Sequence, residues 1–391
     1  MSADTTASPA APREPKCVFC GRCLEVCPLF AATGKEELSP RAKFALNTAL
    51  GDPDHDIAAK AALRLTGKCL SCGKCEKACP NKLCAPKLVT EMRAANPNIR
   101  SVLWGLWVGQ AKVLWPMMAT LSRFAPHFRY GRLESMLSGL KALDAGKAAE
   151  PWVKAVSFQA CGQGRKAVVF PGCVASHVRP QWNETAGKML RGMGFELLPN
   201  PGFTCCACTL GHAGLKEPQR QMQLKNVQAW RDAGRPEIVV FCATCRCGLK
   251  GYADAELGWE LGERERWVHA LTPLSTLAGK GVYEVRDNAP DKVHYHAPCH
   301  GAGAGLDQKF LSALLGKRLS TRGKKNLCCG FGGSLKLSAP ELSDQVAKRC
   351  LEFYAPEQGE LMLSGCAGCV IQLRAGAPAG IGVGHWLEII S

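Results

Sequence analysis

The sequence predicts a mixed α/β chain in which a small helical module precedes two copies of an α/β unit. Three observations predict it. Two cysteine runs near the N-terminus share one spacing, a second set of cysteines recurs at a constant interval further on, and strand-like runs alternate there with helical ones.

The first run is Cys17-Val-Phe-Cys20-Gly-Arg-Cys23-Leu-Glu-Val-Cys27-Pro28, and its echo is Cys69-Leu-Ser-Cys72-Gly-Lys-Cys75-Glu-Lys-Ala-Cys79-Pro80. Both read C-x2-C-x2-C-x3-C-P, the spacing of bacterial two-cluster ferredoxins. Three close thiolates wrap three corners of a cubane, and the fourth reaches across to the other cluster. Cys17, Cys20, Cys23 and Cys79 are therefore expected on one [4Fe–4S] cluster, and Cys69, Cys72, Cys75 and Cys27 on the second. Zinc knuckles would not call for two identical four-cysteine runs.

This ferredoxin-like module is read as residues 16–95, after a disordered tail over 1–15. Ser39 and Pro40 have the form of an N-cap followed by proline at the first helical position, with Phe44, Leu46 and Leu50 at roughly helical spacing. A second helix is expected from about Pro86 to Arg93. Cys84 fits no ligand slot and reads as a small buried residue.

Composition narrows the class. Twenty-three cysteines among 391 residues is heavy usage. The tail shows no apolar leader and no twin arginine, so a cytoplasmic setting is expected, with thiols in ligand spacings serving as metal ligands. The net charge of +16 favours an acidic partner surface or anionic lipid, and part of it offsets cluster charge. No basic run is interleaved with aromatics, which argues against nucleic acid.

Residues 96–163 read as a helical, tryptophan-rich connection. Trp104, Trp107, Leu114 and Trp115 can share one helical face, while Gln110, Lys112 and Pro116 keep the run too short to span a membrane. Two readings fit. One is an interfacial helix that holds the chain on the inner face of the cytoplasmic membrane through its tryptophans. The other, preferred, is a helix packed on a partner protein or on this chain's own second half. Residues 139–163 look like a linker.

The remainder is an internal repeat, read as residues 164–285 and 286–391. Lys166-Ala-Val-Val-Phe170 runs into Cys173, a helix follows over Asn183–Met193, a strand near Phe195 leads to Cys205-Cys206, and Glu237-Ile-Val-Val-Phe241 leads to Cys242 and Cys245. In the second copy Lys292-Val-His-Tyr-His296 leads to Cys299, then come Cys328-Cys329, and Glu360-Leu-Met-Leu-Ser364 leads to Cys366 and Cys369. Cys173 and Cys299 lie 126 residues apart, Cys206 and Cys329 123, and both Cys242–Cys366 and Cys245–Cys369 124. Strands alternating with helices imply parallel sheets, whose ligands gather at the carboxyl ends of the strands. Each set of five thiols should converge there.

Written as Cys-x31-Cys-Cys-x35-Cys-x2-Cys and Cys-x28-Cys-Cys-x36-Cys-x2-Cys, the copies resemble the cysteine-rich (CCG) domain of the heterodisulfide reductase B subunit. The same domain occurs in the iron–sulfur subunits of glycolate oxidase, lactate-utilisation dehydrogenases and anaerobic glycerol-3-phosphate dehydrogenase. Pro40-Arg41-Ala42-Lys43 is similar to a Pro-Arg-Gly-Arg segment of the glycolate oxidase subunit. The resemblance implies that Cys173, Cys205, Cys206, Cys242 and Cys245, and then Cys299, Cys328, Cys329, Cys366 and Cys369, hold one or two noncubane [4Fe–4S] clusters, or a zinc ion in one repeat. Two departures stand out. Ala207 replaces the usual glycine, beside extra thiols at Cys208 and Cys247, and the second copy has a short first spacing.

His212, His296 and His300 border these sites. His300, directly after Cys299, is a candidate hydrogen-bond donor to a cluster sulfide or a proton relay, and the preferred reading is a histidine satisfied by backbone near a strand end. Cys161 and Cys350 read as lone thiols. Gly301-Ala-Gly303-Ala-Gly305-Leu306 lacks the last glycine of a dinucleotide fingerprint, and Gly330-Phe-Gly332-Gly333-Ser334 lacks a P-loop lysine. With no flavin or nicotinamide motif visible, the chain is expected to pass electrons rather than transfer hydride.

The function expected is the iron–sulfur electron-transfer subunit of an FAD-linked glycolate or lactate dehydrogenase, which passes electrons from a flavoprotein partner to quinone or another acceptor. Two alternatives remain open: a heterodisulfide reductase-like catalytic subunit, and the iron–sulfur subunit of anaerobic glycerol-3-phosphate dehydrogenase.

Overall fold

Two four-stranded parallel sheets carry the second half of the chain. The computed structural model describes residues 16–50, 63–65, 67–125, 131–144, 146–300 and 304–391. The tail expected at 1–15 and positions 301–303 of the glycine-rich stretch lie outside them.

An antiparallel ribbon pairs β1 (Val153–Phe158) with β6 (Gly281–Val285). The first sheet holds β2 (Lys166–Val169), β3 (Glu196–Leu197), β4 (Glu237–Val240) and β5 (Leu271–Pro273), ordered β3-β2-β4-β5. The second holds β7 (Val293–His296), β8 (Leu319–Ser320), β9 (Leu361–Ser364) and β10 (Gly382–His385), ordered β8-β7-β9-β10. Counted within each copy, both sheets run 2-1-3-4. The repeat is thus one of topology as well as of cysteine spacing.

The sequence explains the strands. Ile238, Val239 and Val240 are all buried, as is every residue of β7 and β9. Such near-continuous buried runs belong to strands covered on both faces. The covering helices bury one stripe each: Trp182, Ala186, Met189 and Leu190 in Pro180–Gly192, and Val346, Ala347, Cys350, Leu351 and Tyr354 in Pro340–Tyr354. Proline opens both helices, where its missing N–H costs no hydrogen bond.

In the N-terminal module, short helices Arg22–Val26 and Lys74–Ala78 each start from a left-handed glycine, Gly21 (φ 78°) and Gly73 (φ 68°). Helix Pro40–Leu50 begins where expected, with Ser39 Oγ accepting from the Ala42 N–H at 3.2 Å. Its buried residues, however, are Pro40 and Lys43, while Phe44, Leu46 and Leu50 are only half-buried. The second helix runs Ala85–Ala95.

The tryptophan segment forms helices Ile99–Gly109 and Ala111–Ser122, followed by Gly131–Asp144. Asn98 opens the first by accepting from the Arg100 and Ser101 N–H groups, while Ser101 Oγ accepts from Asn98 N–H. Trp104 and Trp115 are buried against the chain's own second half, and Trp107 stacks on Trp115 with centroids 5.6 Å apart. The tryptophans therefore face inward, not toward a membrane surface. What faces outward is aliphatic: Val102, Leu106, Val113, Met117 and Leu121, with Phe124 82% exposed. No helix among the described residues is long and apolar enough to cross a membrane.

The stretch 139–163 is not a linker. It holds the end of helix Gly131–Asp144 and all of β1. The C-terminus pins it: Trp152 N–H donates to Ile389 O, Ser391 N–H to Val153 O, and Ala148 N–H to Glu388 Oε2. Close packing demands a small residue at Gly162, where a Cβ would collide with the Phe195 ring. A Cβ on Gly384 would sit 2.6 Å from the Ala148 side chain.

Candidate functional site

The repeated cysteines sit just past strands. Cys173 follows β2, Cys205 and Cys206 follow β3, and Cys242 ends the loop after β4, with Cys245 one turn into helix Ala243–Lys250. Cys299, Cys328 with Cys329, Cys366 and Cys369 take the matching places after β7, β8 and β9. Parallel strands deliver all these sulfurs to one end of each sheet.

The two sets then meet. The loop after β4 crosses the loop after β9, with Ala243 N–H donating to Gly365 O at 2.8 Å and Ala367 N–H to Cys242 Sγ at 3.5 Å. The sulfurs form a row of neighbours: Cys173, Cys205, Cys206, Cys245, Cys242, then Cys366, Cys369, Cys329, Cys328, Cys299. All ten line one cavity of about 540 Å³, whose outer wall includes Leu70, Trp104, Trp107, Leu114 and Trp115. Two separate pockets would have satisfied the sequence. The structure joins them.

The N-terminal cysteines divide by surroundings. A small cavity of about 30 Å³ is lined by Cys17, Cys20, Cys23 and Cys79, with Cys75, Arg41 and Phe44. Cys20 is exposed beside the exposed Phe19, so this group lies at the surface. Cys27 and Cys75 are buried and neighbour Cys69. Cys72 completes that inner group and reaches the second repeat, with Cys328 and Cys299 as neighbours.

Hydrogen bonds fix this docking. Lys74 Nζ donates to Lys325 O at 2.8 Å and Leu327 O at 2.6 Å. His300 Nε2 lies 3.0 Å from Ser71 O, and its Nδ1 lies 3.3 Å from Thr244 Oγ1, which is 3.1 Å from Cys366 Sγ. A carbonyl only accepts, so the neutral ring carries its proton on Nε2 and Thr244 donates to Nδ1. His300 thus ties the module to both repeats. His212 stacks on it with ring centroids 5.3 Å apart, and burial takes His212 down to about 3.

The donor chemistry fits a metal group. Neighbouring thiols push Cys245 and Cys369 well above the ordinary thiol range, and burial adds to it; burial, with Cys69 close by, takes Cys75 up to about 12. A crowd of buried thiols cannot all ionise without cations among them, and iron or zinc supplies those cations. The backbone leaves space close to the sulfurs: Gly172, at φ 63°, has Cys245 Sγ 2.7 Å from where a Cβ would be.

Sequence reasoning missed Lys43 as a site residue. It is 2% exposed, donates to Leu38 O at 2.5 Å, and lies among Cys69, Cys27 and Cys75. Burial lowers its pKa while those three thiols oppose the shift. Two residues earlier, Arg41 pairs with Glu36, donates to Phe19 O and neighbours Cys23 and Cys17. The Pro40–Lys43 segment therefore aims one cation at each group, a function its motif did not disclose. Asn226 and Tyr252 were missed as well: the amide and the hydroxyl hold the carbonyls of Cys205 and Cys206.

Comparison with known proteins follows the same division. A model of the 4Fe-4S dicluster domain matches residues 15–83, and a model of the cysteine-rich domain matches residues 167–250 and again 293–374. The chain is 23% identical to the glycolate oxidase iron-sulfur subunit of Escherichia coli over 96% of this chain and 92% of that one. It is 24% identical to a probable glycolate oxidase iron-sulfur subunit of Bacillus subtilis, over 92% and 88%. It is also 23% identical to one of the subunits of the dihydromethanophenazine:CoB–CoM heterodisulfide reductase of Methanosarcina acetivorans, again over 92% and 88%.

Proposed function

We propose that this chain, one of the iron–sulfur proteins that join a 4Fe-4S dicluster domain to two cysteine-rich domains, is the electron-transfer subunit of a 2-hydroxy-acid dehydrogenase. A flavoprotein partner holding FAD oxidises glycolate or lactate and releases electrons singly. This chain carries them to a quinone or another acceptor. Its functional units are residues 16–95, the connection 96–163, and the repeats 164–285 and 286–391.

In this reading Cys17, Cys20, Cys23 and Cys79 hold the outer cubane, and Cys69, Cys72, Cys75 and Cys27 the inner one. Each five-cysteine set holds a noncubane [4Fe–4S] group, or zinc in one repeat. One observation carries the proposal: a continuous succession of thiols from exposed Cys20, through Cys72 beside Cys328, to the joined repeats. Such a succession is a path for single electrons, with potentials set by burial and by hydrogen bonds to sulfur. The outward aliphatic face of Ile99–Ser122 is the docking surface for the partner.

A second reading, reduction of a disulfide, is favoured by the opening of all ten repeat thiols onto one cavity. The two readings separate in one anaerobic experiment on the chain with its co-purifying subunits. Glycolate or lactate should bleach the iron–sulfur absorbance with flavin as intermediary. Bleached clusters that re-oxidise only with a disulfide, and never respond to a hydroxy acid, would give the chain to the second reading.

A further inference from the structure

The repeats differ at one position behind their thiols. His296 ends β7 three residues before Cys299, and in the first copy Phe170 stands three residues before Cys173. Phe170 is buried and packs on Phe203, with centroids 5.4 Å apart. A phenylalanine offers no ligand atom at this position. In the second copy a ring nitrogen of His296 and the sulfurs of Cys329 and Cys369 lie within 4.8 Å of one another, all three side chains buried.

The imidazole is set as a ligand would be. Nδ1 lies 3.6 Å from Cys350 Sγ, and Nε2 is buried with no hydrogen-bond partner among the described residues. A metal-bound histidine is held in one tautomer by a partner on its other nitrogen. Cys350, fully buried on helix Pro340–Tyr354, is that partner. A buried ring nitrogen left without any partner is costly, and a metal beside Cys329 and Cys369 would remove the cost.

We propose that His296 Nε2 is a metal ligand of the second repeat, which gives that repeat a mixed sulfur and nitrogen set where the first has sulfur alone. The inference rests on the reading that the repeats carry metal. The metal is a thiolate- and imidazole-binding one, either an iron of the repeat's cluster or a zinc ion, since both accept that donor pair.

The test uses the full-length chain purified without oxygen, with iron and zinc counted. Cells fed 15N-histidine supply a second sample. If iron occupies the repeat, pulsed electron paramagnetic resonance should show a nitrogen coupling that changes with the label and is lost in His296→Phe, the residue native to the first repeat. If zinc occupies it, absorption at the zinc edge should show one nitrogen beside sulfur, lost in the same variant. Labelled and unlabelled spectra that coincide, or a zinc shell of sulfur alone, overturn the proposal, and neither measurement depends on a substitution. Failure of the underlying reading looks different: metal content would stay the same in Cys329→Ala, which overturns both.

Discussion

The two cysteine-rich repeats share strand order and thiol positions, yet they are built for different neighbours. The second receives the ferredoxin-like module through Lys74, Ser71 and Cys72, and carries His296 beneath its thiols. Among the described residues none of the first repeat's five thiols has an N-terminal cysteine as neighbour. That repeat's position matching His296 is Phe170, and its Cys205–Cys206 backbone is held by Asn226 and Tyr252. The C-terminal end of its helix Lys216–Asp232 is anchored by Glu263, which accepts from Arg231 and Arg235. The comparison teaches that the fold dictates the ten sulfur positions, because strand ends are where a parallel sheet presents its ligands, while what lies behind each set is free to differ. The second repeat is the junction with the module's inner cysteines.

The largest effect should come from breaking the junction. On the proposed electron-transfer function, Cys329→Ala should abolish turnover with the physiological acceptor, at least about a thousandfold, while artificial dyes still oxidise the proposed flavoprotein partner. Quinone-linked turnover that survived would leave the path to the cubanes alone and reduce the second repeat to a scaffold.

Next is the turn after the paired cysteines. Ala207 and Gly330 both take left-handed φ, 57° and 84°. A Cβ on Gly330 would collide with Ser343 O, whereas the first repeat already accommodates one. Gly330→Ala should cost about 3 kcal/mol or more by thermal or denaturant unfolding, and Ala207→Gly should change stability by no more than about 1 kcal/mol. Equal responses would erase this difference between the copies.

The first repeat should also carry its own acid sensitivity. Arg231, with Arg235, holds the Glu263 carboxyl down at about 2 against an ordinary 4.5. A depressed carboxylate contributes stability that is present above 4.5 and is lost as pH falls toward 2. The contribution is roughly 3 kcal/mol. Glu263→Gln should flatten the pH dependence of unfolding across that window. An unchanged slope would remove the anchor from the account.

The smallest effect concerns the approach to the junction. Replacing buried Lys43 by methionine removes a positive charge beside the inner cysteines. It should lower that cluster's reduction potential by about 50–100 mV, equivalent to about 1–2 kcal/mol for one electron. A redox titration in which only the outer cluster moved would assign Lys43 to the wrong group.

Cysteine spacing and alternating periodicity were enough to read the mixed α/β class, the duplicated unit and the ferredoxin-like module from the chain alone. Those features are local: a ligand run is set by a few residues, and a buried strand by a short apolar run ending at a turn. The sequence could not show that the two thiol sets share one cavity, since that depends on Ala243 meeting Gly365 across more than a hundred residues. Nor could it turn the tryptophans inward, because periodicity reveals that a helix has an apolar face and is silent about what covers it. Lys43 was part of a short motif at the start of a helix until the fold buried it beside three cysteines. The chain wrote its donor atoms in sequence; which of them face each other was decided by long-range packing, where separate elements compete for the same interior.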